Sequence, residues 1–357
     1  MSSLVMPPFS RRFLAGWADV LTVGRGGRFG SIGAAISASQ AGQTILVLPG
    51  VYDEYALSLK ANTSLVGIDR RRCVIRPTSL VSSSTTVVLQ LRDNCIVSGL
   101  TISTPSTDFI SGTGYVQQVL SLNGIDTTIE GCCIDGGVDH IRVTTSANGG
   151  YHRIWFNEFT HIAADCISPQ NITDETTTFD IAFNSFTGIA TAVYSGSYPH
   201  GFIWTSQGGA VYPNVYMRNN YVNWSASALT NYALGFMAIQ TGSNQAANWY
   251  TMNNLVILDN SNATTPACAA FTFGSDRTHG CSNEPNIISI NDRFVLTCAS
   301  GTPYLANSWV NPTGVGFLKM INSTCNVNAV NNWGGASQSV VYKTNQAALA
   351  VGVPAAV

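Results

Sequence analysis

Two short units share the pattern Asp-x-Ile: Asp139-His140-Ile141 and Asp165-Cys166-Ile167. They follow the apolar residues Ile134 and Phe159 by five and six residues. If the two units occupy successive turns of a repeating fold in register, their carboxylates stand one strand spacing apart, roughly 4.8 Å. Two carboxylates about 5–5.5 Å apart suit glycoside cleavage with retention, and a wider gap suits inversion. Like charges at that distance push one pKa up, which gives an acid and a base from two identical side chains. Asp135, Glu158 and the pair Asp174-Glu175 lie near enough in sequence to take over either role. His140, Arg142, His152 and His161 fall in the same turns, and Arg142 would serve a lyase as the cation for a uronate carboxylate. Structural readings stand beside these: Asp opens strands as a turn residue, and His and Arg more often make surface hydrogen bonds.

A second set of residues could hold a sugar. Tyr194, Tyr198, Trp204, Tyr212, Trp224, Tyr232, Trp249 and Tyr250 gather in the longer stretches between repeats, together with His200. Aromatic faces stack on the apolar faces of sugar rings at low entropic expense. As a group on loop-like segments they are the binding-surface candidates; core or subunit packing is the alternative for any one of them.

Repetition shows what must position these residues. A short apolar strand with a following Asn recurs as Ile154-Trp155-Phe156-Asn157 and Ile181-Ala182-Phe183-Asn184. It returns before Asn219, Asn253, Asn291 and Asn322. From Leu100 through Cys132, Asn157, Asn184, Asn219, Asn253, Asn291 and Asn322 the steps are 32, 25, 27, 35, 34, 38 and 31 residues. Strands of about five residues at that spacing, with no helical pattern between them, predict a solenoid coil. The chain is therefore expected to be all-β, a single-stranded right-handed parallel β-helix. The recurring Asn belongs at a turn, bonding backbone or the next Asn. Phe29, Ile32 and Ile36 have helical spacing, with Ser31 to cap the start and Gly42 to stop it. A short helix there would close the open edge of the first coil. Domain limits follow: an arm over residues 1–24, the β-helix over 25–334 and a tail over 335–357.

Composition narrows the partners. Only 10 % of the 357 residues are charged, against about 25 % usually, and the formal charge is -2. The polar surface must come from hydroxyls and amides, which suit sugar hydroxyls. Without basic clusters, nucleic acid binding is not expected. No apolar run approaches the ~20 residues of a membrane span, and the first 21 residues make a poor secretion signal. Nine scattered cysteines without a C-x-x-C pair read as buried thiols rather than a zinc site; Cys268 and Cys281 are the one pair to test for a bridge. No metal or other cofactor is required, with calcium at loop carboxylates left open.

The segments Phe29-Gly30-Ser31-Ile32 to Ile36, Thr44-Ile45-Leu46-Val47-Leu48-Pro49-Gly50-Val51-Tyr52-Asp53-Glu54, Leu65-Val66-Gly67-Ile68 and Ser98-Gly99-Leu100-Thr101-Ile102 resemble the start of pectin-lyase-like proteins over residues 24–104. In that superfamily a capping helix leads into a strand ending in Pro-Gly-x-Tyr. Gly50 to Glu54 resembles a pectin methylesterase segment, but the later catalytic motifs are missing. Ala164-Asp165-Cys166-Ile167 resembles the Asp-Asp-Cys-Ile of polygalacturonases with Ala164 in place of the first Asp; Pro199-His200-Gly201 only echoes their Gly-His-Gly. The calcium pectate lyase signature is absent. Phage tailspikes share this fold and start. That resemblance implies a virion-borne homotrimer that binds a host cell-surface polysaccharide, with the N-terminal arm docked to other virion proteins and cleavage by a hydrolase or lyase left open. The alternatives are a non-catalytic receptor-binding or capsid-decorating β-helix, and a free extracellular lyase or esterase.

Overall fold

The computed structural model describes residues 19–78, 87–104, 118–137, 139–144, 147–161, 165–169, 172–190, 200–205, 211–226, 234–239, 248–262, 268–273, 286–298, 303–308, 317–327, 330–332 and 339–343. Each coil lays one short strand on each of three parallel sheets, in the order sheet 1, sheet 2, sheet 3. Sheet 1 has twelve strands; sheets 2 and 3 have ten each. The architecture is the right-handed parallel β-helix expected from the repeats. Inward positions are mostly apolar, from Leu21 and Ile45 to Leu318 and Met320, and they form one continuous core along the axis. No helix among the described residues is long and apolar enough to cross a membrane.

The N-terminal helix spans Ile32–Ala38, and the Ser31 side chain accepts from Ala34 N as a capping residue should. Ile32, Ala35 and Ile36 face the first coil. Gly42 does not end the helix: it stops at Ala38 with Ser39 as C-cap, and Gly42 takes a later turn with φ 86°. Glu54 accepts from the free N–H groups of Ile32 and Gly33, both at 2.7 Å. Tyr52 donates to Leu48 O at 2.7 Å, and Asp53 accepts from both the N–H and the hydroxyl of Thr78. The Tyr-Asp-Glu of the Pro-Gly-x-Tyr segment thus ties the cap to the first coil.

The ladder is longer than expected at both ends. Val20–Val23 pairs with Thr44–Val47, inside the stretch read as an arm, and Ser339–Lys343 pairs with Phe317–Ile321, inside the stretch read as a tail. Pro7, Pro8 and Gly24 make the start look extended, and the small residues at the end carry little strand pattern. Neither stretch forbids the four or five residues of a ladder strand.

The recurring Asn resolves into two adjacent roles at the corner between sheets 1 and 2. The corner needs one residue in the left-handed region, filled by Gly99, Gly131, Phe156, Phe183, Asn219, Asn253, Asn291 and Asn322 in successive coils. The next residue is buried and carries the ladder: Asn157, Asn184, Asn220, Asn254 and Asp292. Each Asn donates its side-chain N–H to the following side-chain oxygen, at 2.9 to 3.1 Å, and to a backbone carbonyl of the coil before. Matching Asn219, Asn253, Asn291 and Asn322 with Asn157 and Asn184 was therefore one residue out of register, because those coils carry two polar residues in a row.

Asp292 ends this run as a carboxylate. It is 1 % exposed and accepts from Asn254, Ser289 and Thr251. Burial outweighs these donors and pushes its pKa up to about 6. The folded chain therefore holds this proton more tightly than the unfolded chain. Its contribution to stability is complete below the ordinary carboxylate pKa and is lost as pH rises through about 6. Urea unfolding of wild type and Asp292→Asn across pH 4 to 8 should diverge. Wild type loses about 1–3 kcal/mol relative to the variant as pH rises. Parallel curves would show that Asp292 does not titrate in this window.

Candidate active site

Three polar side chains open consecutive strands of sheet 3. Gln118 begins Gln118–Leu122, Asp139 begins Asp139–Val143 and Asp165 begins Asp165–Pro169. Their backbones are in register, Gln118 against Asp139 and Asp139 against Asp165. Further along, Ile141 pairs with Ile167, and Arg142 lies between Ser121 and Ser168. Gly136 and Gly137, with φ 78° and 89°, turn the chain from sheet 2 into this strand. A Cβ on Gly136 would stand 2.2 Å from the Thr104 hydroxyl, so the corner that delivers Asp139 needs glycine.

Asp139 and Asp165 are 7 % and 2 % exposed. Burial first, and the neighbouring Asp165 second, push the Asp139 pKa up to about 8; Arg142 opposes them. At neutral pH Asp139 is thus a carboxylic acid. With its amide oxygen turned to the guanidinium, Gln118 accepts from Arg142 Nε at 3.3 Å and Nη1 at 2.9 Å. The cluster joins an acid, a second carboxyl, an amide and a guanidinium on three rungs. Gln118 was missed from sequence, although a polar residue opening the apolar run Gln-Val-Leu-Ser-Leu sits where the Asp-x-Ile units carry Asp.

The other carboxylates do not join this group. Asp135 and Glu158 lie on sheet 2, on Cys133–Asp135 and Glu158–Thr160. Asp135 accepts from the Thr160 hydroxyl at 2.7 Å and faces His161 Nδ1 at 2.6 Å. Glu158 pairs with Arg70 at 3.3 Å. The corner after Asp135 separates them from the pair, so neither is placed to substitute for it. His140 turns into the core, stacks on Phe159 and sits 3.1 Å from Thr160 O through Nε2. Burial pulls its pKa down to about 4, as it does for the buried His152, so both are neutral at pH 7.

The expected sugar-binding aromatics divide. Trp224 is 1 % exposed on Tyr221–Ala226, so its ring is core and not a binding surface. Trp249 and Tyr212 are buried as well, and Trp249 Nε1 donates to Pro213 O at 3.0 Å. Trp224 and Trp249 lie on strands, Tyr221–Ala226 and Asn248–Met252. His200 and Trp204 fall on the strand His200–Thr205 of sheet 3, next to Asp165–Pro169; their side chains lie outside the described ones. Tyr198 lies outside the described residues, as does Cys281; Cys268 Sγ instead stands 2.9 Å from Cys298 Sγ. Among the described residues no group of three or more His, Cys, Asp or Glu could hold a metal ion.

No family model matches the sequence, and no curated protein matches it. Solved structures do. A pectin methylesterase in complex with a hexasaccharide is 16 % identical, with TM-score 0.49, covering 90 % of this chain and 92 % of that one. Pectin methylesterase PemA from Erwinia chrysanthemi is 14 % identical, with TM-score 0.41 and coverage of 91 % and 94 %. The catalytic unit of a GH87 α-1,3-glucanase from Streptomyces thermodiastaticus is 12 % identical, with TM-score 0.38 and coverage of 88 % and 65 %. At these identities the likeness is one of fold alone.

Proposed function

We propose that this β-helix hydrolyses a bond in a polysaccharide, with Asp139 as the acid and Asp165 as the carboxylate that attacks or activates water. The observation that carries this reading is the in-register burial of the two aspartates on adjacent rungs, with Asp139 held protonated to about pH 8. A strand spacing of roughly 4.8 Å is close to the separation of about 5–5.5 Å used in retaining glycoside cleavage. Ester hydrolysis on a polysaccharide is the second reading, favoured by Gln118 and Arg142 beside the pair. Their N–H groups are suited to a developing oxyanion.

The test is incubation of the purified protein with a polysaccharide panel, followed by size-exclusion of the sugar and assay of released methanol and acetate. Shortened chains support the first reading and released alcohol or acid the second. Intact chains with neither product would overturn both. Turnover should fall as pH rises through about 8, because Asp139 then loses the proton it must give. The tailspike setting implied by the N-terminal resemblance adds a host-surface polysaccharide as substrate and a trimer as assembly. Native mass tests the latter: a tailspike has three times 37.9 kDa, a free enzyme 37.9 kDa.

A further inference from the structure

Phe156 and Phe183 are out of place by their own repeat. They hold φ of 57° and 58° at a corner where every other coil from Gly99 to Asn322 uses Gly or Asn. A bulky side chain is strained there, and an observed outlier of this kind is a reason to look for function. Both rings are exposed, 36 % and 42 %, and they stack in parallel with centroids 5.0 Å apart. The upper end of the stack is closed, since the Arg218 guanidinium lies 5.7 Å from the Phe183 centroid. Among the described residues its lower end is open. One rung below Phe156 is Gly131, whose N–H bonds Trp155 O, and a Cβ built there would meet nothing within 4 Å. Gly99 follows one rung lower, bonded to Glu130 O. Two glycine rungs thus form a shelf, and the lower face of Phe156 rises from it like the riser of a step.

Polar groups flank the shelf on both sides. On sheet 1, Glu130 pairs in register with Trp155, whose buried Nε1–H has no acceptor among the described residues. On sheet 2, the side chain of Arg70 reaches Glu158 at 3.3 Å. Arg153 lies over the Tyr151 and Trp155 rings. Two guanidinium groups and two carboxylates balance, so the site selects for hydroxyls rather than net charge. We propose that this corner is a saccharide site in which a pyranose ring of a neutral polysaccharide stacks on Phe156 over the Gly131 shelf, with Glu130, Glu158 and Arg70 taking its hydroxyls. It is a site separate from the aspartates of sheet 3 and does not depend on their chemistry.

Phe156→Asn is the decisive variant, because Asn occupies the same backbone position in four later coils. Binding of cello-, xylo-, manno- and maltohexaose is measured by calorimetry for wild type and Phe156→Asn. The expected result is that wild type binds at least one hexasaccharide. Phe156→Asn should bind about tenfold more weakly or worse, with an unchanged or raised melting temperature. The proposal is overturned if wild type binds none of the four or if Phe156→Asn binds as wild type does. It is overturned too if that variant lowers the native oligomeric mass, which would make the corner a subunit interface. Turnover is scored separately, so loss of either result leaves the other standing.

Discussion

Asp139→Asn and Asp165→Asn are each expected to lower polysaccharide turnover by roughly 10²–10⁴-fold, the usual size of a general acid or base contribution. The protein should melt no lower than wild type. Both expectations have the same cause. The two carboxyls are buried on facing rungs, and the second charge is one of the two reasons the Asp139 pKa is high. Replacing Asp139 by the isosteric amide removes a buried carboxyl that must take up a proton on folding, and replacing Asp165 removes the neighbouring charge that helps to force that uptake, so stability is kept or gained while the proton donor or the attacking oxygen is lost. The variants should also differ in their pH profiles. Asp165→Asn removes the smaller cause of the Asp139 shift and leaves burial, so its residual turnover should decline at a lower pH than that of wild type. Asp139→Asn should lose the alkaline decline near pH 8 altogether. Turnover unchanged in both variants would show that the reacting centre is elsewhere.

The pairing of these aspartates was legible in the sequence because they sit five and six residues past an inward apolar residue, Ile134 and Phe159. Sheet 2 pairs Ile134 with Phe159. Once that pair is matched, the residues five and six later arrive on facing rungs of sheet 3. Asp135 shows where such reasoning fails: it is four residues from Asp139, yet a glycine corner puts it on another sheet. Chain proximity in a coil is not proximity on a face. Trp224 was misread for a different reason. Val222 and Trp224 face inward while Tyr221 and Asn223 face out, but Asn223 and the serines around it look like a loop when read alone. Only the five-residue pairing of Tyr221 to Ser225 with Leu255 to Asp259 makes the alternation visible. The corner residue was hidden by its variety, since Gly, Phe and Asn share a backbone conformation and no chemistry.

Arg218→Ala is expected to destabilise the fold by about 3–5 kcal/mol, the usual effect of stranding one member of a buried ion pair. Asp180 lies in the outer row of sheet 1 between Arg153 and Tyr216, and it is nevertheless 1 % exposed. Arg218 covers it, donating from Nε to Oδ1 at 3.0 Å and from Nη2 to Oδ2 at 2.8 Å. Tyr151 adds a hydrogen bond to Oδ2 at 3.2 Å, and its own pKa is pushed up to about 12 by burial and by this carboxylate, so it stays a donor. The guanidinium also lies over the Trp155 and Phe183 rings. Without it, Asp180 keeps one neutral donor in a place water scarcely reaches. Urea unfolding of Arg218→Ala, Asp180→Asn and Arg218→Met with Asp180→Asn separates the stranded charge from lost packing. The double variant removes both charges and keeps most of the volume, so it should recover most of the loss. If the double variant is as unstable as Arg218→Ala, the arginine acts by filling space over Trp155 and Phe183. Its charge would then contribute little, and the closed upper end of the phenylalanine stack would be the feature its side chain maintains.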